Sequence, residues 1–289
     1  MGNIILSAFA DEYNSNPSVH AQYLKSRGVD YIEARFVNGR NIADLAENEV
    51  IEYKKILDLN GIKVSSLGSP IGKINLADDF SEHLDKAKRC FEYANILGTS
   101  RVRMFSFYLR EGQSRADARE DVIEKLSSLV ELADKYSLSL CHENEAKIYG
   151  ESAECCYDLL AHFGGKLRCV FDMGNFVLDG VQPYPYAYEM LKDYIEYFHI
   201  KDSLSVGAIV PPGKGEASIF EILTAHSQST DEDFFVSLEP HLETFSGLNK
   251  LVGKGFENPY KFESAECAFE YALNSLREIT EKVQKARKI

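Results

Sequence analysis

Eight short apolar runs punctuate this chain, each followed by enough residues for one helix, and that alternation constrains the fold more than any other feature. The runs lie at 4–9, 31–36, 63–67, 101–105, 138–143, 168–172, 195–199 and 234–239. When a helix separates each strand from the next, the crossover returns the chain to the same end of the sheet and neighbouring strands run parallel. Eight is the number of parallel strands that closes a (β/α)8 barrel. The alternative is an open doubly wound sheet. Its phosphate-binding fingerprint is missing, because the first strand-to-helix turn, Ala10-Asp11-Glu12-Tyr13-Asn14, has no glycine.

The intervening segments carry helical periodicity and stop signals. Leu45, Val50, Ile51, Ile56 and Leu57 precede Asn60-Gly61, and Phe80, Leu84, Ala87, Phe91, Ala94 and Leu97 precede Gly98. A glycine in these places can take the left-handed conformation that ends a helix. Val122, Leu126, Leu129, Val130 and Ala133 mark a further helix, Ala153, Cys156, Leu159, Leu160 and Phe163 another that stops at Gly164-Gly165, and 264–288 a last one. No Pro/Gly/Ser-rich linker breaks the chain, so residues 1–289 read as one α/β domain. Two stretches, 203–215 and 244–262, look irregular and follow strand C-terminal ends, where such a barrel keeps its working loops.

A net charge of −13 disfavours a nucleic-acid partner. The N-terminus carries no basic leader, and no stretch reaches the roughly 20 apolar residues of a membrane span. Of six cysteines only Cys155 and Cys156 are close together and none forms Cys-x-x-Cys, which predicts reduced thiols and a cytoplasmic location. Cys90, Cys141, Cys169 and Cys267 are expected in the core.

Four polar residues close four successive strand-like runs: Glu143, Asp172, His199 and Glu239, separated by 29, 27 and 40 residues. A single acidic residue ending a strand is ordinarily a helix cap or a solvated turn. Recurrence on four consecutive parallel strands makes the groups converge at one end of the barrel, where they form a cage for one divalent metal ion. Three carboxylates and an imidazole suit Mn²⁺, Mg²⁺, Co²⁺ or Zn²⁺ and suit soft Cu(I) badly.

The blocks His142-Glu143-Asn144-Glu145, Phe171-Asp172-Met173-Gly174-Asn175-Phe176, Phe198-His199-Ile200-Lys201-Asp202 and Leu238-Glu239-Pro240-His241 resemble the xylose isomerase-like TIM-barrel superfamily, in particular its sugar phosphate isomerase/epimerase group. Tyr31-Ile32-Glu33-Ala34-Arg35 and Ser69-Pro70-Ile71-Gly72-Lys73 are similar to a branch of it. The resemblance implies that Glu143, Asp172, His199 and Glu239 ligate the metal, and that Glu143 and Glu239 shuttle protons on opposite faces of the substrate. The implied protein is a homodimer or tetramer that isomerises or epimerises a small sugar, sugar phosphate or related hydroxy-ketone. An inosose dehydratase-like lyase is the alternative on the same site. A sugar-binding or hydrolytic metallo-barrel is the alternative from another class. Asn175 stands where many relatives have a histidine that touches substrate or a second metal, which favours a single-metal site and counts against the endonuclease IV branch.

Other polar groups fall near the strand ends. Glu33 and Arg35 are two apart, share a strand face and are expected to pair in the barrel mouth, as structure or as a substrate clamp. Arg103, inside the fourth strand, needs a carboxylate from Glu33 or from the cage. Lys73 and Lys201 are candidates for holding a phosphate or carboxylate, and with Asn175 complete the expected substrate contacts. Glu145 reads equally as a loop salt bridge or a substrate contact. His142 should point away from the axis if Glu143 points in, packed against helices. His20, His83, His162 and His226 are expected at helix surfaces, Pro211-Pro212-Gly213-Lys214-Gly215-Glu216 as a shaping loop, and Tyr184, Tyr186 and Tyr188 at a helix start. The loop at 244–262 is long enough to reach a neighbouring subunit or cover the mouth.

Overall fold

The computed structural model describes residues 2–242, 258 and 260–286. Each apolar run becomes a strand: β1 Ile4–Ala8, β2 Tyr31–Ala34, β3 Lys63–Gly68, β4 Arg101–Met104, β5 Ser139–Glu143, β6 Leu167–Asp172, β7 Ile195–Ile200 and β8 Phe234–Leu238. Their order is β1-β8-β7-β6-β5-β4-β3-β2 and every pairing is parallel. β1 and β2 come together at the seam without a ladder, so the barrel is nearly closed. Ser65 bridges that seam from inside, its Oγ 2.7 Å from Ser7 Oγ and donating to Ile32 O at 3.1 Å.

Helices cover the outer face, which explains why the strands read as continuous apolar runs rather than alternating ones. The long ones are α1 Pro17–Ser26, α2 Glu47–Leu59, α3 Phe80–Leu97, α4 Arg115–Lys135 and α5 Ala153–His162. After β6 come two short ones, α6 Met173–Leu178 and α7 Tyr188–Leu191, and then α8 Ile219–Ser229 and α9 Ala265–Ala286. Asn16, Asp79, Ser114 and Ser152 cap their helices with side-chain oxygens, satisfying amides that have no partner within the helix. Gly98 ends α3 at φ 76°, as its position in the sequence predicts. No described helix is long and apolar enough to cross a membrane.

Several expectations fail locally. The run 31–36 breaks after Ala34, and Phe36–Val37 turns away to pair with Arg40–Asn41 in a small antiparallel ribbon. The stretch 203–215 is not irregular throughout, because Asp202–Leu204 pairs antiparallel with Ala208–Val210. His20, His83 and His226 are buried rather than exposed, and of these four helix histidines His162 alone lies at the surface. Each buried ring finds a seat: His20 Nδ1 is 2.9 Å from Asn14 O, His83 Nε2 accepts from Gly72 N–H at 2.8 Å, and His226 sits edge-on to Phe198 and Phe234. Cys90, Cys141 and Cys169 are in the core, whereas Cys267 is exposed, and all six thiols are free. Tyr188 packs in the core at the start of α7 while Tyr186 is exposed. The loop at 244–262 lies outside the described residues except for its last few positions.

Candidate metal centre

The parallel ladders dictate where the four strand-end groups meet. Glu143 and Asp172 are the last residues of β5 and β6, His199 is the next to last of β7, and Glu239 follows β8 directly. Asp172 and His199 are register partners across the β6–β7 ladder. All four side chains are buried, and each offers one donor atom within 4.8 Å of the others. His199 Nδ1 lies 2.9 Å from Glu143 Oε1 and 3.5 Å from Glu239 Oε2. Its other nitrogen, Nε2, lies 3.0 Å from Glu33 Oε2.

Asp172 is braced from behind. Its backbone exchanges two hydrogen bonds with the Asn144 amide, at 3.0 and 2.9 Å, and its Oδ1 accepts the Asn175 N–H at 2.8 Å as the cap of α6. Asn175 Nδ2 donates to Asn144 O at 2.8 Å, so this side chain serves the framework under the ligand. Asp172 Oδ2 is left over. It is buried with no hydrogen-bond partner, as is Glu143 Oε2.

Three cations close over these carboxylates. Lys201 Nζ is 2.9 Å from Asp172 Oδ2 and 3.6 Å from Glu239 Oε2, and Arg103 Nη1 is 3.3 Å from Glu143 Oε2 and 4.0 Å from Glu239 Oε1. Arg35 donates to Glu239 Oε1 at 2.7 Å, Asp11 Oδ2 at 2.8 Å and Glu12 Oε1 at 3.0 Å. The buried ring of Phe9 lies beneath both guanidinium groups, at 4.2 Å from Arg35 and 5.2 Å from Arg103.

Burial disfavours every charge here, and the neighbours decide which survive. Burial pushes Glu143 up, but His199 and Arg103 outweigh it and hold the carboxyl low, at about 2. Glu239 is likewise held well below the usual range against burial, by Lys201, His241, His199 and Arg35. Asp172 goes the other way: burial dominates over Lys201 and lifts it to about 6. Burial lowers His199, yet Glu143 and Glu33 overcome it and raise the imidazole well above its ordinary value.

The donor set fits a divalent ion. Three carboxylates, two of them with a buried oxygen that accepts no hydrogen bond, and one imidazole nitrogen facing them match the oxygen-rich ligation of hard and borderline metals. A second group, Glu12, Glu239 and His241, also clusters within 4.8 Å. The Arg35 guanidinium already sits between Glu12 and Glu239, which removes the need for another cation there.

The remaining candidates are distributed unevenly. Glu33 and Arg35 do not pair with each other. β2 ends at Ala34, so Arg35 lies beyond the strand and regular alternation no longer gives it the direction of Glu33. Arg103 finds its carboxylates in the cage, as the cost of a lone buried guanidinium requires. Lys73 pairs with Glu145 at 2.9 Å and lies 4.2 Å from the Phe105 ring centre. His142 meets Ser106 Oγ at 2.9 Å and lies against Gly150, on the turn Tyr149–Glu151 rather than on a long helix. Asp11, Glu12, Tyr197 and His241 join the site and were not singled out as candidates. Asp11 and Glu12 follow the C-terminal end of β1, so the positional rule that found the four ligands would have found them too.

A family model described as xylose isomerase-like TIM barrel matches residues 21–255. Among solved structures, a D-tagatose 3-epimerase-like protein superposes with a TM-score of 0.74 at 16% identity, over 97% of this chain and 98% of that one. The IOLI protein with a bound zinc atom gives 0.72 at 17%, over 97% and 99%. A xylose isomerase-like TIM barrel protein from Mycobacterium smegmatis in complex with magnesium gives 0.68 at 16%, over 98% of each chain. At these identities the likeness establishes the fold alone. No match was found among curated proteins.

Proposed function

The chain belongs to the xylose isomerase-like TIM barrel family, and we propose that it is a divalent-metal-dependent isomerase or epimerase of a small sugar, sugar phosphate or related hydroxy-ketone, working by proton transfer. The observation that carries this reading is the pair Glu143 and Glu239, two buried carboxylates held ionised and both facing Nδ1 of His199. Glu143, Asp172, His199 and Glu239 would hold the divalent ion, which when bound would polarise a substrate carbonyl. Glu143 or Glu239, ionised at neutral pH, takes the proton from the carbon beside that carbonyl, and the other, after taking up a proton from solvent, delivers it to the opposite face. Arg103 is suited to hold a substrate oxygen, because its Nε is a buried donor with no partner. Arg35 fixes the orientation of Glu239 through the 2.7 Å hydrogen bond, and Lys201 and Asn175 hold Asp172. Lys73, on the rim with Glu145, is the proposed outer contact for a substrate phosphate or carboxylate.

The test is turnover of a ketose and aldose panel in D₂O with metal-loaded protein. Deuterium at the reacting carbon is expected, and Glu143→Gln and Glu239→Gln should each abolish the exchange. Product without deuterium, under conditions that exclude internal return of a shielded proton, removes the two-glutamate shuttle, and product lighter by one water reassigns the chemistry to dehydration. A dimer or tetramer is the proposed assembly, which sedimentation at the monomer mass of 32.6 kDa would refute.

A further inference from the structure

Glu33 is fully buried, stands on β2 across the barrel from β7, and is not among the four groups of the cage. Both of its carboxylate oxygens are nonetheless spent. Oε2 lies 3.0 Å from His199 Nε2, and Oε1 accepts from the Tyr197 hydroxyl at 2.9 Å. That hydroxyl is in turn 3.0 Å from Ser66 Oγ on β3. Tyr197 and His199 are two apart on β7 and so project to the same side of the strand. The chain Ser66, Tyr197, Glu33, His199 therefore approaches the imidazole from the side opposite Glu143 and Glu239.

We infer that Glu33 is a positioning residue: it accepts the Nε2–H of His199 and thereby fixes the tautomer whose bare Nδ1 faces Glu143, Asp172 and Glu239. The inference rests on the metal reading above and adds a residue to it. A neutral imidazole has one N–H and one lone pair. With the proton on Nδ1, the cage would lose its only nitrogen donor and two lone pairs would confront each other across the 3.0 Å between Nε2 and Glu33 Oε2. With the proton on Nε2, both ends of the ring are satisfied. The Phe9 ring, edge-on at 5.1 Å between centroids, restricts rotation of the imidazole. A carboxylate behind a ligating histidine also strengthens its lone pair and raises metal affinity. Glu33 is thus withdrawn from direct contact with substrate.

The experiment is zinc titration of the metal-free full-length chain by calorimetry, for wild type, Glu33→Gln, Glu33→Leu and Tyr197→Phe, with a long-range ¹H–¹⁵N spectrum of zinc-loaded wild type. The spectrum should show His199 protonated at Nε2 and metal-shifted at Nδ1. Glu33→Leu should bind zinc roughly 10–100-fold more weakly. Glu33→Gln, which keeps an acceptor but no charge, should lose less, and Tyr197→Phe, which keeps the carboxylate, least of all. A proton on Nδ1, or zinc on Nε2, overturns the inference without any variant having to fold. Wild-type affinity in folded Glu33→Leu overturns it as well. Failure of wild type itself to take up zinc overturns the metal reading first and this inference with it.

Discussion

Lys201 Nζ lies 2.9 Å from Asp172 Oδ2, so an ammonium ion faces the one oxygen of that carboxylate that the α6 cap leaves over. The lysine balances the buried negative charge when the cage holds only its own protons, and it competes with a metal for the same oxygen.

Replacing Lys201 by Met should therefore separate the two roles. Removing one partner of a buried pair costs about 3–5 kcal/mol because the other charge is left behind. The metal-free variant should melt at a lower temperature than wild type, and saturating Mn²⁺ should raise its melting temperature by more than it raises that of wild type. Equal increments in the two proteins would show that Lys201 does not oppose the ion.

Metal affinity should rise with pH. Asp172, lifted by burial to about 6, and His199, raised by Glu143 and Glu33, must both give up protons before they can ligate. From pH 5 to pH 7 the Asp172 proton alone predicts about a tenfold gain, and His199 adds to it. In the metal-free protein the same two shifts act on stability with one sign. A carboxyl raised from 3.8 to about 6 binds its proton more tightly in the folded state, so stability falls as pH rises through that window. The raised His199 contributes stability below its unfolded value that is lost as pH climbs through the folded one. Titration calorimetry at pH 5 and 7, and metal-free melts across the same range, check both signs, and a flat affinity would contradict the ligand assignment.

The four candidate ligands were legible because position alone defines them: each terminates an apolar run, and parallel ladders bring such ends together whatever the helices between them do. Their electrostatic partners were not. Arg35 goes to Glu239, Asp11 and Glu12 from beyond the end of β2, which stops at Ala34, a strand end that no spacing rule announces. His83 and His226 look like surface residues because a polar ring on a helix suggests the wet face. Their burial depends on one backbone N–H from Gly72 and on two phenyl rings from other strands, contacts that exist only after the barrel closes.

Asp202 supplies a prediction away from the chemistry. Its buried carboxylate accepts the N–H groups of Ser203, Gly213, Gly215 and Ala217 at 2.8 to 3.1 Å, which gathers the Pro211-to-Glu216 loop onto the end of β7. Asp202→Ala should leave several of these donors without partners, at about 1–3 kcal/mol for each that stays buried. Asn keeps one acceptor oxygen and should fall between. Limited proteolysis ought to cut near 211–216 in the Ala variant first, and global unfolding without preferential cleavage there would argue against a loop clasp.

Gly174, the second residue of α6, tests how closely the two arms of the site must approach. A Cβ there would lie 2.7 Å from Lys201 O and 2.8 Å from Lys201 Cγ. Helix propensity alone favours Gly→Ala by about 1 kcal/mol. The contact opposes it, because the nearest atom is backbone at the end of β7, tied down further by the Ser203 hydroxyl that donates to Gly174 O at 2.8 Å. Overpacking of this kind typically costs about 1–3 kcal/mol, so Gly174→Ala should melt below wild type despite its better propensity. The displacement should also part Lys201 from Asp172 and tilt the start of α6, which carries the Asn175 amide that holds Asp172. Zinc affinity should then fall together with stability. A variant that melts and binds as wild type does would show that β7 and α6 can separate without cost, and that the close approach at Gly174 does not set the geometry of the cage.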